Sequence, residues 1–284
     1  MITAVTTAAV SSWRRKTAGK VFFVPTMGAL HAGHAALIRK ARKLAGKDGV
    51  VAVSIFVNPT QFGPNEDLSR YPRPLRADEE LCRSEGVDLL FRPDLREMYA
   101  SDVSVAISEK SLSLRFEGTD RPGHFDGVCT VVAMLFQIIR PDIAVFGEKD
   151  WQQLAVVRRM VRDLKFPIRI ASHPIVREED GLALSSRNRF LPSDARMMAP
   201  RIFQALTAAA MEAEDGAKPA SLERQLRRDL GRIPGATLGY ASIVEETTLE
   251  PIGKFTSKNK ARALVAVKLG GVRLLDNLAM PIAR

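Results

Sequence analysis

Four short polar clusters in this 284-residue chain have the residue types and spacing to hold an anionic ligand. The first is Pro25-Thr26-Met27-Gly28-Ala29-Leu30-His31-Ala32-Gly33-His34, where two imidazoles stand three residues apart. It follows the apolar run Val21-Phe22-Phe23-Val24 and precedes a stretch, 35–44, with apolar residues at helical spacing and a basic outer face. A turn from strand to helix offers unpaired backbone N–H groups and the positive end of a helix dipole to an anion. A spacing of three lets both rings face one side of the first helical turn. Gly28 and Gly33 let the backbone approach a ligand closely. Phosphate, and with it a nucleotide, is the ligand this pattern suits. Two histidines that only cap the helix or sit on the surface satisfy the same spacing.

In the second cluster Asn58 and Gln61 follow the run 50–57. Neutral amides there can hydrogen-bond a hydroxyl or carboxylate without titrating, and Asn58-Pro59 is also ordinary turn composition. Beyond them, Asp67, Arg70, Tyr71 and Arg73 suit a lid and a surface loop equally. In the third, Gly147-Glu148-Lys149-Asp150, glycine allows close approach and Lys149 supplies a point charge for phosphate. Asp150 can accept from a ribose hydroxyl or serve as an N-cap, and Gln152 and Gln153 follow it. The fourth, Leu184-Ser185-Ser186-Arg187-Asn188, sets two hydroxyls and a guanidinium in sequence, the makings of a phosphate clamp on a loop that closes over a nucleotide and excludes water.

Several chemistries are set aside by what is missing. Neither G-x-G-x-x-G nor G-x-x-x-x-G-K-[ST] occurs, which argues against a dinucleotide site and a P-loop. No third ligand stands at metal-site spacing from His31 and His34, so zinc is not expected. No apolar run reaches membrane-spanning length, and Met1 to Lys20 lacks an export pattern. Cys82 and Cys129 fall inside helical stretches without redox or metal spacing, which reads as buried free thiols in a reducing cytoplasm. The net charge of +10 is spread over both halves of a chain with only 6% aromatic residues. That distribution fits an anionic small substrate at least as well as a nucleic acid, which a basic patch would mark.

The elements that must position these clusters alternate. Apolar runs at 21–24, 50–57, 87–91, 143–146 and 167–171 read as strands, and 35–44, 74–86, 126–140 and 151–165 as helices. Continuous apolar runs alternating with helices predict an α/β fold, a Rossmann-like doubly wound parallel sheet covered on both faces. Ligands of such sheets bind beyond the carboxyl ends of the strands, where the first three clusters fall. From 176 the pattern changes to helices at 193–213 and 220–231 and strands at 238–245, 262–269 and 272–276, the last two joined by Gly270-Gly271, a hairpin signal. Two domains are expected, 1–175 and a smaller C-terminal α+β domain, 176–284 with an antiparallel sheet.

Five segments then carry a resemblance. Val24-Pro25-Thr26-Met27-Gly28-Ala29-Leu30-His31-x-Gly33-His34, Ser54-Ile55-Phe56-Val57-Asn58-Pro59-x-Gln61-Phe62, Arg121-Pro122-Gly123-His124-Phe125, Phe146-Gly147-Glu148-Lys149-Asp150-x-Gln152-Gln153-Leu154 and Leu184-Ser185-Ser186-Arg187-Asn188 closely resemble, in order, the motifs of the pantothenate synthetases, or pantoate–β-alanine ligases. A weaker match continues to Leu274-Leu275-Asp276-Asn277. The family belongs with the HIGH-type nucleotidyltransferases, in which His31-x-x-His34 matches the HIGH-like element and Ser185-Ser186-Arg187 the KMSKS-like loop.

The resemblance implies an AMP-forming ligase acting in two steps. Pantoate attacks the α-phosphate of Mg-ATP to give pantoyl adenylate and pyrophosphate, and the β-alanine amine then displaces AMP to give pantothenate. It assigns Met27, Gly28, Ala29, Leu30, His31, Ala32, Gly33 and His34 to ATP, together with Gly147, Glu148, Lys149, Asp150, Val176, Leu184, Ser185, Ser186 and Arg187. His34, His31 and Lys149 are the implied catalytic groups, with His34 as proton donor. Gln61 and Gln153 would hold pantoate, and Gln61 with Asn58 would meet β-alanine. Mg²⁺ would ride on phosphate oxygens and water with no protein metal site of its own. A cytoplasmic homodimer through the larger domain is implied, with 176–284 as lid, and with neither nucleic acid nor membrane as partner. The chain departs from the family at Thr60 and Leu184, where Met is frequent. Two rivals remain at this stage. A HIGH-type enzyme adenylylating a phosphate monoester would want a basic pocket where Gln61 and Gln153 are neutral, and a non-catalytic nucleic-acid binder would show steep salt dependence.

Overall fold

The computed structural model describes all residues except 65, 67, 257–259 and 282–284. Asp67, one of the residues assigned above to a lid or surface loop, therefore lies outside the described residues. By chain contacts the molecule divides into two compact units: Met1–Glu148 with Val156–Pro174, and Lys149–Ala155 with Ile175–Arg284. The expected break at 175/176 carries no such inserted segment; the contacts assign Lys149–Ala155 to the second unit.

The first unit holds β1 (Ile2–Ala4), α1 (Thr7–Lys16), β2 (Val21–Thr26), α2 (Ala32–Ala45), β3 (Val50–Ile55), α3 (Leu75–Ser84), β4 (Leu89–Phe91), α4 (Leu95–Met98), α5 (Glu117–Asp120), α6 (His124–Ile139), β5 (Ile143–Gly147), most of α7 (Trp151–Asp163) and β6 (Arg169–His173). Its six strands are all parallel in the order β1-β4-β3-β2-β5-β6. The chain runs outward from β2 through β3 to β4, then returns past β2 to β5, so β2 and β5 flank the topological switch point where such sheets bind ligands. Pairing of β2 with β3 continues from Val21↔Val50 to Thr26↔Ile55, whereas pairing with β5 stops at Phe23↔Ala144. Pro25 has no N–H to continue a ladder, and the sheet opens at the point from which the His31 turn departs.

The strands are buried on both faces, as their apolar runs require. On one face Val24, Ile38, Val53, Cys82 and Leu90 pack together. On the other, Phe136 of α6 meets Phe23, Phe146 and Phe166 edge to face.

The second unit contains α8 (Ser193–Met198), α9 (Arg201–Glu214), α10 (Pro219–Gly231) and the antiparallel sheet β7 (Ala236–Glu245), β8 (Ala261–Leu269), β9 (Val272–Met280). Leu206, Leu222, Leu226 and Leu230 pack with Ile243, Val265 and Val267 to form its core. Gly270 and Gly271 turn between β8 and β9 with φ of 54° and 82°, values that a two-residue hairpin requires and glycine adopts without strain. The helix expected over 193–213 is two helices, because Pro200 cannot donate to the turn before it and α9 starts after it.

Candidate active site

Helix α2 begins where the sheet opens, and its two histidines cap each other. His31 is the N-cap; its Nδ1 accepts from the backbone N–H of Gly33 at 3.1 Å, while Nδ1 of His34 accepts from the backbone N–H of His31 at 3.3 Å. The rings lie 4.2 Å apart. An Nδ1 that accepts carries no proton, so each neutral ring holds its proton on Nε2 and presents that edge as a donor. Capping and anion contact, alternatives in the sequence, are therefore compatible here: the cap sets the tautomer that a phosphate needs.

The turn before His31 is held from a distance. Asp78 of α3 is 2% exposed, and its two carboxylate oxygens accept from the backbone N–H groups of Ala29 at 3.0 Å and Leu30 at 2.7 Å. Gly28 has φ of 82°, and a Cβ there would meet Ile55 and Asp78 within 2.9 Å. The Tyr71 hydroxyl donates to the Gly28 carbonyl at 3.2 Å. Sequence reasoning misses Asp78, although a signal for it exists. It lies four residues before Cys82 on the buried face of α3, a position for which an acid needs a reason.

Gln61 joins the second cluster to the first, since its Nε2 contacts Met27 Sδ at 3.1 Å. Asn58, three residues past the end of β3, is buried, and both ends of its amide are engaged by Thr60, Tyr99, Gly127 and Gln61. Its Nδ2 donates to Gln61 Oε1 at 3.2 Å, which ties the two amides together. Burial pushes the Tyr99 phenol above its ordinary range, only partly opposed by its bond to Thr60, so it stays a donor at neutral pH. Behind the same turn, His124 Nδ1 and Arg121 Nη2 hold the Gln61 carbonyl at 2.8 and 3.2 Å, and Glu66 holds the Arg121 guanidinium through both its oxygens.

Gly147 and Glu148 close β5, with Glu148 accepting from Ser172 Oγ at 2.8 Å. In the second unit, Lys149, Asp150, Ser185, Arg187, Arg273 and Asp276 line one small cavity, so Lys149 and Asp150 of the third cluster meet the fourth there. The Lys149 ammonium lies 3.4 Å from Asp150, and Asn277 of β9 donates to the Lys149 carbonyl at 2.9 Å. Trp151 anchors the segment, its indole N–H bonded to the Glu246 carbonyl and its ring 3.5 Å beneath the Arg262 guanidinium. Gln153 is half-buried on the first turn of α7.

The serine loop is shaped by its own neighbours. Leu184 N–H donates to the Val176 carbonyl at 2.9 Å, Ser185 Oγ accepts from Arg187 N–H, and Ser186 opens a 3-10 turn over Ser186–Phe190. Asn188 bonds Glu178 and the Ala183 carbonyl, and Arg196 bridges Glu178 and Asp180. The hydrogen bond from Arg196 draws the Asp180 carboxyl below its ordinary range.

Cys82 and Cys129 are buried free thiols, each pushed up to about 12 by desolvation. Among the described residues, no group of three or more His, Cys, Asp or Glu is arranged to hold a metal ion, and no helix is long and apolar enough to cross a membrane.

Comparison with known proteins places these features in context. Residues 2–279 match the family model described as pantoate-beta-alanine ligase. Pantothenate synthetase of Acidothermus cellulolyticus is 50% identical over 269 residues, 94% of this chain and 88% of that protein. The crystal structure of pantothenate synthetase from Thermus thermophilus superposes with a TM-score of 0.92 at 46% identity, covering 99% of each chain. Pantoate-beta-alanine ligase from Francisella tularensis, solved in complex with beta-gamma ATP and beta-alanine, gives a TM-score of 0.79 at 36% identity over 99% of this chain and 98% of that one.

Proposed function

Because the chain belongs to the pantoate–β-alanine ligase family, we propose how its own residues divide the family's reaction among them. The enzyme condenses (R)-pantoate with β-alanine using ATP, through a pantoyl adenylate, and releases pyrophosphate and AMP. In the first step a pantoate carboxylate oxygen attacks the α-phosphorus and the bond to pyrophosphate breaks. In the second the β-alanine amine attacks the acyl carbon, the bond to AMP breaks and the amide forms. Both steps ask for positioning and for stabilisation of developing charge, and neither needs a protein nucleophile.

The observation that carries the assignment is the mutual cap of His31 and His34, which sets two Nε2–H donors at a helix N-terminus. In this reading Met27 to His34 hold the ATP phosphates, with His34 donating to the oxygen that takes up charge as pyrophosphate leaves. Gly147 and Glu148 approach the nucleotide from the end of β5. Lys149, Asp150, Leu184, Ser185, Ser186 and Arg187 of the second unit grip phosphate and ribose, and Val176 takes the adenine side. Gln61 and Gln153 hold pantoate through neutral amides, which suit a carboxylic acid better than a phosphate monoester. Gln61 and Asn58, bonded to each other, also meet β-alanine.

The donor set fits Mg²⁺ carried on ATP phosphates and water, since Asp78, the buried acid nearest the turn, spends both oxygens on backbone N–H groups. When bound, the ion neutralises charge on the transferring phosphates; the residues named here orient them. The buried thiols and the use of ATP favour the cytoplasm. A homodimer through the first unit is favoured by exposed Val103, Val105 and Leu114 on that unit, and size-exclusion chromatography with light scattering tests it.

Supplying ATP, Mg²⁺, pantoate and β-alanine should yield AMP and pantothenate in equal amounts. AMP formed only with a different acid or amine overturns the substrate assignment. In the same assay Gln153→Ala should raise KM for pantoate far more than KM for ATP, and equal losses remove Gln153 from the acid pocket.

A further inference from the structure

Three segments distant in sequence fix which way the Gln61 amide faces, and so decide what Gln61 can read. Asn58 is 1% exposed. Its Oδ1 accepts from the Thr60 backbone N–H at 3.4 Å, the Thr60 hydroxyl at 2.9 Å and the Tyr99 hydroxyl at 2.9 Å. Its Nδ2 donates to the Gly127 carbonyl at 3.1 Å and to Gln61 Oε1 at 3.2 Å. A backbone N–H only donates and a backbone carbonyl only accepts, so the Asn58 amide has a single consistent orientation. That orientation is passed on. Asn58 offers a hydrogen to Gln61, Gln61 must answer with its oxygen, and its NH₂ group then faces Met27, whose thioether is a weak acceptor. The close approach that makes this possible depends on Gly127, where a Cβ would meet the Thr60 carbonyl oxygen at 2.5 Å.

We propose that Tyr99 and Thr60 are positioning residues that act through Asn58 to hold Gln61 as a hydrogen-bond donor toward the acid substrate. Gln61 then reads an acceptor oxygen: the carboxylate or a hydroxyl of pantoate, or the carboxylate of β-alanine. The Met27 thioether holds the NH₂ group until a better acceptor displaces it. This inference rests on the assignment of Gln61 to the acid pocket made above.

The test uses Tyr99→Phe and Thr60→Val, singly and combined, since each removes a hydroxyl and keeps the shape. The double variant leaves only the long backbone bond on Asn58 Oδ1. Losing two hydrogen bonds to a buried oxygen should lower the Tm and raise KM for pantoate roughly tenfold, while KM for ATP stays close to that of the parent enzyme. Tyr99→Phe combined with Thr60→Ser, which keeps a hydroxyl at position 60, should show only the smaller rise of Tyr99→Phe alone. An unchanged pantoate KM in the double variant, or pantoate and ATP KM rising together, overturns the proposal. Should the double variant fail to fold, Tyr99→Phe alone is read in the same way, with a rise of about threefold to fivefold expected. Gln61→Ala separates the two layers. If it leaves pantoate KM intact, the pocket assignment fails and the inference with it; if it raises pantoate KM while the hydroxyl deletions do not, only the positioning role is overturned.

Discussion

In the first unit the His31–His34 turn is held by Asp78, a carboxylate 2% exposed that accepts two backbone N–H groups. In the second unit the Ser185–Asn188 loop is held through Asn188 and Arg196 onto Glu178 and Asp180, whose side chains are 30% and 39% exposed. Both clusters suit the same kind of ligand, and they are fastened by different physics. A buried carboxylate bonded to fixed dipoles acts in a low dielectric and is little affected by salt. Half-exposed ion pairs are screened, and each contributes little to stability. The turn in the first unit is thus pre-organised, while the loop in the second keeps its position through contacts that salt and acid can loosen.

The largest expected effects ask whether groups of both units take part in the chemical step. His34→Ala and Lys149→Ala should each slow adenylate formation by on the order of a hundredfold or more, as happens when a pre-organised charge-stabilising donor is lost. Single-turnover pyrophosphate release reads this directly. A near-normal rate in one variant would remove that residue from the chemistry and leave it a binding role only.

The next effect separates the two fastenings. Asp78→Ala leaves the Ala29 and Leu30 N–H groups without their acceptor and should lower unfolding free energy by about 1–3 kcal/mol for the buried Ala29 bond and less for the part-buried Leu30 one, with a raised KM for ATP and little response to added salt. Arg196→Met should cost less than about 1 kcal/mol, shrinking further in high salt. Comparable losses in the two variants by denaturant unfolding would break the comparison.

The smallest effect sharpens it. The Arg196 hydrogen bond holds the Asp180 carboxyl below its ordinary value of 3.8. A carboxylate depressed in the folded state adds stability that is fully present above that ordinary value and is lost as pH falls through the depressed one. Acid unfolding of the parent enzyme below pH 3.8 should therefore include a contribution that Arg196→Met removes, and an NMR titration of Asp180 in that variant should return its pKa to the ordinary range. An Asp180 titration unmoved by Arg196→Met would show that the pair does not fasten this segment.

Much of the sheet is legible in the sequence because its strands are continuous apolar runs and its turns are written in glycine and proline. Val21–Thr26, Val50–Ile55 and Ile143–Gly147 fall where those runs lie. The short N-terminal β1 and α1 do not stand out: β1 has three residues and α1 buries only Val10, so neither carries a strong pattern. The break between α8 and α9 is legible in Pro200 itself, which the expectation of one helix over 193–213 disregards. The last strand runs on to Met280, beyond its apolar start, because β8 supplies pairing partners as far as Ala261.

The sequence by itself determined the chemistry of the clusters. A glycine-flanked pair of histidines at a strand-to-helix turn, amides after one strand, and a lysine after another are properties of adjacent residues, and local backbone geometry gives them their meaning. Tertiary structure alone decided how those groups are aimed. Asp78 reaches the turn from 49 positions away, and Tyr99 and Gly127 orient Asn58 from 41 and 69 positions away. A hydrogen bond depends on which donor and acceptor are brought within about 3 Å of each other, and for these groups the folding of distant segments into one sheet settles that.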